Sequence, residues 1–81
     1  AAGDSDVRRL RQVRVDYPWV VETLEALVAT LSLRQAAERL HVHHSTLQER
    51  VVHLEAALSY SPCSPTGRHR AAMTLLLDAL A

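Results

Sequence analysis

Between Pro18 and Pro62 the chain carries neither glycine nor proline. The residues that most readily punctuate a backbone are confined to Gly3, Pro18, Pro62, Pro65 and Gly67, so the middle must be regular structure broken only by short turns. Its apolar side chains are Leu, Val and Ala, with no Phe, one Trp and two Tyr. They recur three and four residues apart rather than at alternate positions, which is helical spacing. Strands have little room, and the expected fold class is all-α.

The spacing resolves into segments. Residues 1–15 begin with small and acidic residues, then interleave Arg8, Arg9, Arg11 and Arg14 with Val7, Leu10 and Val13; they read equally as a short helix or as a linker. Asp16 and Pro18 have the chemistry of a helix start: a capping carboxylate, then a proline in the first turn, where its missing N–H would be unbonded anyway. A helix is therefore expected over residues 18–31, with Val20, Leu24, Leu27, Val28 and Leu31 on its inner face. Ser32-Leu33-Arg34-Gln35 has capping-box spacing, in which the serine oxygen accepts from the third helical N–H and the glutamine reaches back to the serine N–H. The short helix it opens ends near Leu40, before His41-Val42-His43. Leu47, Val51, Leu54 and Leu58, spaced four, three and four apart, define a third helix over residues 44–58. Residues 59–67 hold two prolines, a glycine and three serines and read as a loop. A final helix over residues 68–80 then places Ala72, Leu75, Leu76 and Ala79 on one face, widened by Met73 and Leu77. The expected organisation is a segment 1–15 followed by a domain 16–81 of four main helices.

A core made from 81 residues supplies only about 3–5 kcal/mol of net stability, so a partner subunit would help. Charge balances at zero, nine basic residues (all Arg) against nine acidic ones, whereas a nucleic-acid-binding domain usually carries a basic excess. Cys63 stands alone, which excludes an internal disulfide framework, and the first residues do not read as a secretion leader; the cytoplasm is the expected compartment. No apolar run approaches the roughly 18 residues a membrane span requires. Catalysis finds no footing: there is no glycine-rich phosphate loop and no nucleophile with a base at credible spacing, so neither enzyme activity nor a cofactor is expected. His43 and His44 are adjacent and point apart on a helix, whereas zinc-binding pairs favour i, i+4 spacing, so no metal site is expected.

The stretch from Leu33 to Val51 is the informative one. A short helix, a three-residue turn and a longer helix have the proportions of a helix-turn-helix, with Ala36 and Ala37 small enough for a close crossing and Leu40, Val42 and Leu47 as apolar plugs around the turn. In that geometry the later helix presents its amino end to the major groove while the earlier one crosses the backbone.

Leu40-His41-Val42-His43-His44-Ser45-Thr46-Leu47-Gln48-Glu49-Arg50-Val51 resembles the core of the PucR-type C-terminal helix-turn-helix of purine-catabolism and sugar-diacid regulators, and is similar more broadly to Fis-like domains. The likeness extends to Glu22-Thr23-Leu24, to Leu54-Glu55 and to Ser64-Pro65-Thr66-Gly67-Arg68. It implies a Fis-like bundle and a bacterial transcription regulator whose upstream sensory domain this module serves. Ser45 stands where the family usually has Asn and Glu49 where it has an aromatic, while His44, Gln48 and His53 occupy places that are commonly basic.

Base-reading then falls to His44, Ser45, Gln48, Glu49 and Val52. Gln48 suits adenine, Ser45 either pair, and Glu49 the amino group of cytosine. Arg34, Gln35, His43, Thr46, Arg50 and His53 are placed for phosphate, which positions without specifying. Between Ser32 and Leu58 three Arg are balanced by Glu38, Glu49 and Glu55, so one copy should bind duplex DNA weakly; a homodimer on paired half-sites is expected. The alternative is a degenerate helix-turn-helix that serves dimerisation or protein interaction.

Overall fold

The computed structural model describes residues 2–80; residues 1 and 81, the outer ends of the expected segment 1–15 and domain 16–81, lie outside them. Five helices follow in order: α1 (Ala2–Asp16), α2 (Val20–Ala29), α3 (Leu33–Leu40), α4 (His44–Leu58) and α5 (Pro65–Leu80). No strand occurs among the described residues.

The N-terminal segment is a helix of 15 residues, and its Leu10 and Val13 are buried in the same core as Leu24, Leu27, Leu47, Leu54 and Leu58. Burying a leucine completely stabilises a fold by roughly 1.5–3 kcal/mol, so α1 is held by packing rather than by helix propensity. It runs alongside α5 in the same direction, with Asp6 on Arg70 and Arg14 on Asp78, both at 2.7 Å.

Because α1 continues to Asp16, that residue ends one helix instead of capping the next. Pro18 sits in the turn between them, where it disfavours helical backbone at Tyr17. The Val20 N–H donates to the Tyr17 carbonyl at 3.0 Å, and α2 starts at Val20, two residues later than the sequence predicts. It also stops earlier, at Ala29. The Thr30 hydroxyl donates to the Ala26 carbonyl at 2.7 Å, and Leu31, expected on the inner face, is 85 % exposed.

The start of α5 differs in the opposite sense. Ser64 Oγ accepts from the Gly67 N–H at 3.0 Å and Pro65 occupies the first turn, so a string that resembles loop chemistry is a helix start. The rotation of α5 differs as well. Its buried residues are Gly67, Ala71 and Thr74, whereas Leu76 and Leu80 on the outer surface are 54 % and 75 % exposed. Of the face expected from the leucines, Ala72 and Leu75 are half-buried and Leu76 and Ala79 are exposed. Polar anchors decide that setting. Arg68 donates to the Val28 and Thr30 carbonyls at 3.1 and 2.6 Å, Arg70 forks onto Asp6, and Asp78 receives Arg11 and Arg14. Gly67 lies so close to the α4–α5 loop that a Cβ there would meet the Ser61 carbonyl oxygen at 1.6 Å.

Two predictions follow from these contacts. Gly67→Ala should destabilise the domain by about 3 kcal/mol, because backbone has to move to admit one methyl group; the change is read from denaturant midpoints at constant slope. The arginines hold the carboxyls of Asp6 and Asp78 below their ordinary value of 3.8, chiefly through the hydrogen bond from Arg70 to Asp6 and those from Arg11 and Arg14 to Asp78. A carboxyl depressed by folding contributes stability that is complete above its unfolded value and is lost as pH falls through its folded one. Unfolding free energy should therefore fall below that value, and the acid limb should be shallower in the Asp6→Asn/Asp78→Asn double variant.

Candidate nucleic-acid interface

Ser32 caps α3 as the sequence predicts, its Oγ accepting from the Gln35 N–H at 3.1 Å. The returning glutamine bond lands one residue earlier than the capping box implies, on the Leu31 N–H at 2.9 Å. That engages the carbonyl end of the Gln35 side chain and leaves its NH2 group outward. Ala36 and Ala37 are both buried, and α3 packs through them on α2 and α4.

The turn out of α3 is tight. His41 adopts the left-handed region at φ 57°, its N–H donating to the Glu38 carbonyl at 3.2 Å, and the Val42 N–H donates to the Ala37 carbonyl at 3.1 Å. This is a Schellman closure made by a histidine where glycine is usual. His43 is extended and its side chain does not cap α4, which starts at His44 as expected.

Along α4, Leu47, Val51, Leu54 and Leu58 point inward. The helical period therefore sends His44, Ser45, Gln48, Glu49 and Val52 outward, and all five are exposed. Ser45, Gln48, Glu49 and Val52, joined by His53, line one shallow surface depression. Such an open, polar-and-apolar strip offers hydrogen-bond donors, acceptors and one methyl-bearing contact side by side, as base edges require. Arg34 and Gln35 of α3, His43 of the turn and Thr46 in the first turn of α4 are also exposed.

Arg50 is fastened inside the protein instead. Its Nη1 donates to Thr23 Oγ1 at 3.2 Å, lies 3.9 Å from Glu22 Oε1, and its guanidinium sits 5.0 Å from the centre of the Trp19 ring. Trp19 contacts Tyr17 at 5.1 Å, and Tyr17 stacks on His53 at 5.5 Å and 28°. This chain of rings ties α4 to the elbow between α1 and α2, with the cation–π contact worth about 0.5–1 kcal/mol. Nothing in the spacing of the sequence announces the pairing of Trp19 with Arg50. The far end of α4 is held from α1, where Arg9 Nη1 donates to the Ala57 carbonyl at 3.4 Å and to Ser59 Oγ at 3.2 Å.

With Arg50 engaged, the fixed charges that α3 and α4 show to solvent are Arg34 and Arg39 against Glu38, Glu49 and Glu55. No group of three or more His, Cys, Asp or Glu gathers to hold a metal among the described residues. Cys63 is exposed in the α4–α5 loop, and partial desolvation together with Glu55 pushes its thiol up, away from the thiolate a nucleophile requires. Among the described residues no helix is long and apolar enough to cross a membrane.

A family model for the PucR C-terminal helix-turn-helix domain matches residues 20–77. No curated protein and no solved structure gives a match. The matched region starts with α2 and reaches into the last turn of α5, leaving α1 outside it. It covers well over half of the chain and contains the capped short helix, the left-handed turn and α4 with its exposed strip; the chain belongs to the PucR C-terminal helix-turn-helix family.

Proposed function

We propose that this domain is the DNA-binding output module of a bacterial transcription regulator, acting as a homodimer whose α4 helices enter successive major grooves. Membership of the family supports DNA binding within a transcription regulator. The observation that carries the finer reading is the exposed strip of His44, Ser45, Gln48, Glu49 and Val52 on the helix that follows the turn. Gln48 is the adenine reader, Glu49 accepts from cytosine, Ser45 bonds either pair and Val52 meets a thymine methyl group. Arg34, Gln35, His43, Thr46 and His53 contact phosphate. Arg50, expected on sequence at the phosphates, is assigned to holding α4 against α2. Two copies are called for because a surface with two Arg and three Glu gains little from one half-site, and the apolar outer face of α5 favours self-association. An upstream sensory domain in the same protein would govern the dimer.

The rival function is a helix-turn-helix kept for dimerisation or protein interaction, favoured by Glu49 in the middle of the reading strip. Titration of a labelled random-sequence duplex at low salt separates the two. Binding in the micromolar range that weakens linearly in log–log against salt is expected, since phosphate contacts release counterions. Glu49→Gln should tighten it several-fold and Arg34→Ala should weaken it with a shallower salt slope. A confirmed dimer that ignores the duplex would decide for the rival.

A further inference from the structure

We infer that protons complete the duplex-facing surface: DNA binding is coupled to proton uptake by His41, His43, His44 and His53, so this domain holds DNA more tightly as pH falls. The inference rests on the DNA-binding reading above and adds how that site is regulated.

The chain has no lysine, and four of its five histidines lie in the turn and on α4. All four side chains are exposed. His41 is at the left-handed corner, His43 and His44 flank the start of α4, where no side chain caps the helix, and His53 borders the reading strip. The duplex they would face carries one negative charge per about 1.7 Å of axis. The fixed charges present there do not answer it. On α3 Arg34 and Arg39 stand with Glu38; on α4 Glu49 and Glu55 outnumber Arg50, which is turned onto Trp19 and Thr23.

Neighbouring elements add little. Glu22 of α2 is paired with Arg50, Arg9 of α1 is spent on the Ala57 carbonyl, and Tyr17, in the turn between α1 and α2, stacks on His53 through its neutral ring; Glu25 of α2 and Asp16 of α1 are exposed carboxylates that add no positive charge. The other charged side chains that α1 commits to the fold, Asp6, Arg11 and Arg14, are held in ion pairs with α5. The ion pairs of Arg70 with Asp6, of Arg11 and Arg14 with Asp78 and of Arg50 with Glu22 involve none of the four histidines. Imidazole is the side chain whose charge ordinarily changes between pH 5 and 8. Up to four protons therefore convert a slightly acidic surface into a basic one, and by linkage the phosphates that gain from those protons also hold them on.

Fluorescence anisotropy with a random-sequence duplex, at fixed low ionic strength, tests this in the wild-type domain. Affinity is expected to rise about tenfold from pH 7.5 to 6.0, with a steeper salt slope at the lower pH. Calorimetry in buffers of different ionisation enthalpy should register net proton uptake at neutral pH. The triple variant His41→Asn/His43→Gln/His44→Gln, with asparagine chosen for the left-handed corner, should lose most of the pH response. His69→Gln, on α5 rather than on the turn or α4, should keep it, with circular dichroism verifying the fold of each. Equal affinity, equal salt slope and no proton uptake across the range would overturn the inference while leaving DNA binding intact. Absence of duplex binding at every pH would remove the DNA reading and this inference together.

Discussion

Burial of Leu47, Val51, Leu54 and Leu58 down one side of α4 is the constraint on which the rest of the domain depends. At roughly 1.5–3 kcal/mol for each fully buried side chain, these four outweigh the few kcal/mol by which a domain of this size is stable. Turning α4 by one position would exchange Leu47 for Gln48 and Leu54 for Glu55 in the core. The rotation of the helix is therefore fixed, and with it the identity of every residue on the outer strip. Ala36 and Ala37 are the counterpart: only small side chains let α3 approach closely enough to cover that inner face.

How much could be read from sequence follows the range of the forces involved. The bounds of α3 and α4 agree with the approximate ones expected because capping, turn closure and the four-three-four spacing all act within a few positions. The bounds of α2 and α5 did not, because the same residue types serve two purposes. Asp16 and Pro18 look like a start yet end α1 and form an elbow, since Leu10 and Val13 find their partners far along the chain. Ser64, Pro65 and Gly67 look like a turn yet open α5. Within the site, the exposure of His44, Ser45, Gln48, Glu49 and Val52 followed from period alone. The fate of Arg50 could not, because Trp19 and Thr23 are distant in sequence and no periodicity announces them.

The same distinction changes the meaning of the net charge. Counted along the chain, nine arginines suggest a modest basic resource. In the fold, Arg9 caps α4, Arg68 binds the end of α2, Arg70 clamps Asp6, Arg11 and Arg14 share Asp78, and Arg50 lies on Trp19. These six of the nine serve as fasteners between helices. Guanidinium suits that work because its planar fork reaches carbonyls and carboxylates together and stacks on rings. Arg34 and Arg39 are what α3 keeps for its surroundings.

Fastening of this kind also accounts for the leucines left outside on α5. A helix free to choose its rotation would bury Leu76 and Leu80, each worth roughly 1.5–3 kcal/mol when covered. Two conditions oppose that choice. The glycine at position 67 has to face the Ser61 carbonyl, since a turn of the helix would drive a larger side chain into backbone. The carbonyls at the end of α2 and the carboxylate of Asp6 would lose Arg68 and Arg70, and buried or half-buried acceptors left unbonded cost about 1–3 kcal/mol apiece. The exposed ion pairs of Arg11 and Arg14 weigh less in water, so the close contact and the two inner arginines decide. Small residues against the core with aliphatic residues outward are therefore the lower-energy setting of α5, whatever the leucine pattern alone would suggest.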